Sequence, residues 1–181
     1  QYIDDYVIST DDKEISDVAS FHGVDIHKRP PEFARDSTSS AESLLSAIRE
    51  RDDYDYVVEI MATNPLKTAE DIDGVIEKLH ETQADSVVSV VRIWDHHPSR
   101  VKYIEGDRLK DFYPEIPESR RQDLTPAAYV RNGSIYATTK ESFLSNKVRL
   151  GPDTRPYIMD ESKTINIDEP IDLELARLLL R

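Results

Sequence analysis

Cysteine is absent from the 181 residues, which removes disulfide staples, thiolate nucleophiles and Cys-ligated metals at once and suits a cytoplasmic setting. Basic residues are in deficit. Lys and Arg number 23 against 36 Asp and Glu, for a formal net charge of -13, which argues against sequence-independent binding to nucleic acid by phosphate neutralisation. An anionic small substrate would need a local basic pocket set against that field. No apolar run approaches the roughly 20 residues that a membrane-spanning helix requires. Internal repeats, low-complexity tracts and linkers are missing as well. What remains is 38% hydrophobic and 33% charged in 20.8 kDa, enough for one domain with a single core. The expectation is one cytoplasmic domain over residues 1–181 that engages neither membrane nor nucleic acid.

Strand and helix patterns alternate along the first half. Val7-Ile8 leads into the polar loop Ser9-Thr10-Asp11-Asp12, and Glu14 to His22 carries the helical spacing Ile15, Val18, Ala19 before Gly23. Val24 to His27 reads as a strand. Lys28 to Asp36 reads as a loop, and Ser39 to Arg51 as a helix with Thr38 or Ser39 as cap. The unit repeats with a strand at Tyr56 to Met61, a helix at Thr68 to Thr82 and a strand at Ser86 to Arg92. Such alternation predicts parallel strands joined by right-handed crossovers. After Trp94 it breaks: Val101 to Ile104 and Leu109 to Tyr113, around Glu105-Gly106-Asp107, predict a β-hairpin inserted in a doubly wound sheet. A strand at Tyr129 to Thr138, a helix at Lys140 to Asn146 and a last helix from Asp168 to Leu180, capped by Asp168 with Pro170 in its first turn, complete the chain.

The segment Arg120 to Tyr136, RRQDLTPAAYVRNGSIY, holds most of the chemistry. Each guanidinium of the Arg120-Arg121 pair can hold a carboxylate or phosphate through two parallel bonds, and Asn132-Gly133 predicts a tight turn before a strand. Asn166 and Asp168 stand two apart in an extended run, which puts both side chains on one face. The plainer alternative is that Asp168 only caps the helix behind it. Asp11 lies at a strand's carboxyl end, where open α/β sheets place ligands, although many such aspartates only cap helices. His96 and His97 are adjacent and point to opposite faces if extended, so a turn before Pro98 is favoured over a shared metal.

ISTDDKEI near the start, HKRPPEFARDSTSS after it, RRQDL…RNGSIY and the closing INIDEPIDLELA together resemble the acylneuraminate cytidylyltransferases. These enzymes make CMP-activated nine-carbon acidic sugars. The resemblance runs over nearly the whole chain. It implies a mostly parallel, Rossmann-like α/β fold of the nucleotide-diphospho-sugar transferase kind, with the Trp94 to Leu124 insertion serving a homodimer. It implies transfer of CMP from CTP to a sialic, legionaminic or similar acid, pyrophosphate release and Mg²⁺. The sugar hydroxyl attacks the α-phosphorus, so the protein has mainly to position the groups and neutralise charge.

Matched residue by residue, Arg29 and Ser40 line the nucleotide side, with Ser40 also toward the sugar, and Asp11 joins them. The bland reading is an exposed arginine and an ordinary cap. Arg100 and Arg121 match positions that reach the sugar acid's carboxylate, and Asn132 and Tyr136 match positions that face the sugar; without the resemblance the arginines read as a solvated surface pair. Arg120 has no counterpart. The family commonly has two aspartates where this chain has Asn166 and Asp168, so Asp168 is the metal and catalytic candidate and Asn166 a neutral ligand or water holder.

The chain departs from the family in two places. Met61-Ala62-Thr63-Asn64-Pro65 replaces a loop that begins with glutamine, and Val148-Arg149 stands where some members are aromatic. Met61 cannot make an amide's hydrogen bonds, which implies a sugar substituted differently from ordinary sialic acid. The family also opens with a Gly- and Lys-rich triphosphate loop behind a first strand. Here the match begins at what resembles the second strand, so the expectation is an N-terminally incomplete enzyme, inactive as these 181 residues alone. Two alternatives stay open: a cytidylyltransferase for the eight-carbon 3-deoxy-manno-octulosonate, and a non-catalytic nucleotide- or sugar-binding subunit.

Overall fold

In the computed structural model, which describes residues 1–49, 51–115 and 119–180, the predicted alternation of strands and helices is present. The order is β1 (Val7–Thr10), α1 (Lys13–Phe21), β2 (Asp25–Lys28), α2 (Ser40–Ile48), β3 (Tyr56–Ile60), α3 (Ala69–Thr82), β4 (Ser86–Ile93), β5 (Lys102–Glu105), β6 (Arg108–Asp111), β7 (Ala128–Thr139), α4 (Lys140–Asn146), β8 (Thr154–Ile158) and α5 (Pro170–Leu179). β1 and β2 pair in parallel, as a helical crossover requires. A four-stranded sheet has the order β3-β7-β4-β8, with β7 antiparallel to β3. β5 and β6 form the expected hairpin, turning at Gly106 with φ of 64°.

Capping residues set the helix starts. Ser39 and Glu42 close a reciprocal box on α2, and Thr68 and Asp71 do the same on α3, so orphan amides of each first turn are satisfied. Two expectations need correction. Asp168 does not cap α5: Glu169 occupies that place, boxed with Asp172. Asn132-Gly133 does not make a tight turn either, because β7 runs through it; only Gly133 is left-handed, at 65°. A glycine takes a single positive φ within a strand without strain, and the chain keeps its direction.

The chain divides into two units. The first comprises Gln1–Ile60, Thr68–Val88 and Ile135–Arg155. Its core is formed by Val75 and Leu79 of α3, Val87 of β4, Ile135 of β7 and Phe143 of α4, all nearly inaccessible, each worth about 1.5–3 kcal/mol of transfer free energy. Gly151 lies so close to β4 that a Cβ there would collide with the side chain of Asp85. Of the apolar positions spaced along α1 only Ala19 is buried, since Ile15 and Val18 stay 52% and 61% exposed.

The second unit comprises Met61–Lys67, Ser89–Ser134 and Pro156–Arg181. Its interior is more polar. Ser89, Asn64, Asn132 and Ser134 are buried beside Val90, Val91, Met159 and Ile165. No helix among the described residues is long and apolar enough to cross a membrane.

Candidate functional site

In the first unit, the carboxyl ends of β1 and β2 meet over Arg29. Its backbone amide donates to the Thr10 carbonyl at 2.9 Å, Nη2 donates to the Ser9 carbonyl at 2.5 Å, and Nε donates to Ser9 Oγ at 3.3 Å. Ser9 Oγ in turn shares a 2.9 Å hydrogen bond with Nδ1 of His27. The guanidinium is thus anchored at the strand ends by its own fold. Asp11, one residue beyond β1, is exposed, and the neighbouring Asp12 caps α1. Ser40 is the exposed first residue of α2, with Ser39 as cap.

Tyr136 lies on β7 opposite Glu59 of β3. It is buried, and the Arg149 guanidinium stacks over its ring at 4.2 Å. Nη1 of Arg149 also donates to Glu59 Oε2 at 2.8 Å, with both side chains mostly withdrawn from solvent. The residue that departs from the family's aromatic pattern is therefore a charged clamp on Tyr136.

In the second unit, Asn166 and Asp168 share a face as the spacing predicted: Nδ2 of Asn166 donates to Oδ2 of Asp168 at 2.7 Å, and both residues are exposed. Between them, the amide of Ile167 donates to the Thr63 carbonyl at 2.8 Å, which ties the segment to the loop after β3. Gly133 of β7 adjoins the same place, for a Cβ on it would lie 3.9 Å from Asn166 Oδ1. The next residue back, Asn132, is occupied internally: Oδ1 accepts from Ser89 Oγ at 2.7 Å, and Nδ2 donates to Met159 Sδ at 3.1 Å. Among the described residues no three Asp, Glu or His side chains gather as a metal cage. A hard cation that keeps its waters and takes one or two protein oxygens alongside phosphate fits the donor set of one exposed carboxylate and one amide.

Arg121 and Arg120 have separate tasks. Arg120 grips Asp123 through Nε at 2.6 Å and Nη2 at 3.0 Å, so its two-pronged capacity is taken up within its own turn. Arg121 faces an open cleft of about 670 Å³ that it lines with Trp94, Asp95, Gln122 and Glu161. It is paired loosely there with Asp95 at 3.3 Å. Trp94 forms the cleft's aromatic surface, with the Arg92 guanidinium 3.7 Å from its ring centroid and its indole N–H donated to Glu161 at 2.7 Å. Arg100 is engaged at the hairpin's base, donating through Nη2 to the Ser119 carbonyl at 2.5 Å, with Glu115 3.9 Å from Nε. His97 caps the turn before Arg100 and reaches the Pro126 carbonyl through Nε2 at 2.9 Å, the structural place expected of it.

Sequence reasoning passed over Lys67. Its Nζ donates to the carbonyl oxygens of Met61, at 2.6 Å, and of Asn64, within the loop after β3. Burial pulls its pKa below the ordinary lysine value. The only sequence signal was one lysine closing a loop at a strand's carboxyl end.

A cytidylyltransferase family model matches residues 1–176. The chain is similar to N-acylneuraminate cytidylyltransferase B of Danio rerio, 30% identical over 96% of this chain and 41% of that protein. It is also similar to CMP-N,N'-diacetyllegionaminic acid synthase of Legionella pneumophila, 32% identical over 98% of this chain and 78% of the relative. The chain thus spans about two-fifths of the first of these curated relatives and more of the second. Among solved structures it is similar to CMP:2-keto-3-deoxy-manno-octonic acid synthetase complexed with CTP, with a TM-score of 0.70 and 18% identity over 98% of this chain and 81% of that one. At that identity the likeness bears on the fold alone, an α/β fold of alternating strands and helices.

Proposed function

We propose, since the chain belongs to the cytidylyltransferase family, that it serves the transfer of CMP from CTP to a nine-carbon acidic sugar of the sialic or legionaminic kind. The sugar's hydroxyl oxygen attacks the α-phosphorus, the bond to the β-phosphate oxygen breaks, pyrophosphate leaves and the hydroxyl proton is lost to water. The observation that carries this reading is the exposed Asp168 carboxylate, oriented by Asn166 beside Gly133 of β7. Mg²⁺ bound there would neutralise phosphate charge as it builds in the transition state. Asn166 holds the Asp168 carboxylate in one orientation through its Nδ2 and leaves the other carboxylate oxygen for the cation.

Arg29, fixed by Ser9 at the ends of β1 and β2, takes the nucleotide side together with Asp11 and Ser40. Arg121 takes the sugar's carboxylate in the cleft beside Trp94; its loose pairing with Asp95 is exchanged at little cost, because exposed ion pairs are worth about 1 kcal/mol or less. Met61 in place of an amide and the Arg149 clamp on Tyr136 support a sugar substituted differently from ordinary sialic acid. The relative from Legionella, named for a diacetylated legionaminic acid, agrees. Pyrophosphate release from CTP and Mg²⁺ by the full-length protein, measured against a panel of acidic sugars, tests the reading. Turnover with nine-carbon acids above that with the eight-carbon acid is the expected result, and no turnover with any of them refutes it.

The hairpin supports a homodimer. Ile104, Leu109, Phe112 and Tyr113 are 58% exposed or more, a density of apolar groups that a solitary surface rarely leaves uncovered. Light scattering that returns twice the chain mass, and the single mass for Ile104→Lys with Leu109→Lys, is the expected pair of results. The absence of cysteine and of any membrane-crossing helix among the described residues supports placing the protein in the cytoplasm.

A further inference from the structure

The loop from Met61 to Lys67 turns back on its own last residue. Lys67 donates Nζ hydrogens to two carbonyls of the same loop, those of Met61 and Asn64, three residues apart. Burial lowers its pKa. An ammonium withdrawn from water is costly unless its hydrogens are satisfied. Here the two carbonyls accept its hydrogens, so the cation and the curl of the loop depend on each other.

Two links run outward from that curl. Asn64, whose carbonyl Lys67 holds, is fully buried and spans β7: Nδ2 donates to the Asn132 carbonyl at 3.2 Å and Oδ1 accepts from Ser134 Oγ at 3.2 Å. Thr63, inside the curl, offers its carbonyl to the amide of Ile167 at 2.8 Å, between Asn166 and Asp168. We propose that Lys67 is the positioning residue of this site, an ammonium staple that shapes the loop after β3 so that the Thr63 carbonyl sets the Asn166–Asp168 segment against β7. The consequence for transfer rests on the reading of Asp168 given above; the mechanical part does not.

Amide hydrogen exchange on the ligand-free full chain tests the mechanical part. Lys67→Met should speed exchange of the Ile167 amide on the order of tenfold or more, the weight of one charge-assisted hydrogen bond. Lys67→Arg, whose fork can reach two carbonyls, should keep most of the protection, and Lys67→Gln serves in the same role as Lys67→Met if the latter does not fold. Unchanged Ile167 exchange in a folded Lys67→Met or Lys67→Gln overturns the staple. In the pyrophosphate assay, Lys67→Met should lower kcat on the order of tenfold with little change in KM for CTP, and Lys67→Arg should recover most of the loss. Full kcat in Lys67→Met alongside an inactive Asp168→Asn overturns the coupling of the loop to transfer. Full kcat in both variants refutes instead the role given to Asp168.

Discussion

Asn166 and Asp168 stand two residues apart, and the amide of the first donates to the carboxylate of the second across 2.7 Å. One face of this segment has thereby been turned into a fixed donor and acceptor pair, with the carboxylate's other oxygen unspent. The helix behind them begins at its own cap, Glu169, so the pair is not needed to start it.

Asp168→Asn therefore separates chemistry from folding. Turnover at ordinary Mg²⁺ should fall on the order of a hundredfold, corresponding to about 3 kcal/mol of lost charge stabilisation. The thermal unfolding midpoint should stay within a degree or two, because capping of α5 rests on Glu169 and Asp172. Full activity would remove the metal role, and a collapsed midpoint would return the residue to structure.

Arg121→Ala should raise KM for the sugar acid on the order of tenfold to a hundredfold, the weight of a charged hydrogen bond of about 1.5–3 kcal/mol. KM for CTP should change much less. Equal changes for both substrates would place the arginine in folding or assembly.

Arg149→Ala should lower unfolding free energy by about 1.5–3 kcal/mol, since it strips the ring of Tyr136 and leaves Glu59 with little solvent to answer its charge. Adding Glu59→Gln should restore part of that loss, as expected for partners in direct contact. Urea titrations of the four species measure the coupling, and strict additivity would dismiss it.

Glu42 gives the expected acid signature. The Ser39 backbone amide first, and its hydroxyl next, hold this carboxyl below its ordinary value of 4.5. A carboxyl depressed in the folded state stabilises fully above the unfolded value and loses that contribution as pH falls through the folded one. The melting temperature of Glu42→Ala should accordingly lie below that of the parent at pH 7 and converge on it as pH drops below 4.5. A gap that persists undiminished into stronger acid would show that packing, not the charged cap, is responsible.

The elements that announced themselves in the sequence were those with local causes. α2 and α3 carry Ser39…Glu42 and Thr68…Asp71 boxes before apolar periodicity, and both start where those residues place them. α4 matched its predicted span, and the hairpin followed its glycine. β8 was not legible, because Thr154-Arg155-Pro156-Tyr157-Ile158 contains a proline and no alternation that separates it from loop. The passage of β7 through Asn132-Gly133 depends on cross-strand partners that a turn signature cannot reveal. At the site, the two-residue spacing exposed the Asn166 and Asp168 pair. Lys67 was invisible because its acceptors are main-chain oxygens, which every sequence has. The antiparallel course of β7 beside β3 belongs to the same class of tertiary facts.

The second unit's polar interior has a bearing on any attempt to make the protein more heat-resistant. Ser89, Asn132, Asn64 and Ser134 are joined in that order as a hydrogen-bonded chain with 6% exposure or less at every member. Filling such positions with valine or leucine is the usual engineering remedy for a soft core, yet here each replacement would strand a neighbour's donor or acceptor in a dry place. An engineer would have to exchange all four residues at once or leave them alone, and should look to the first unit for single-residue gains.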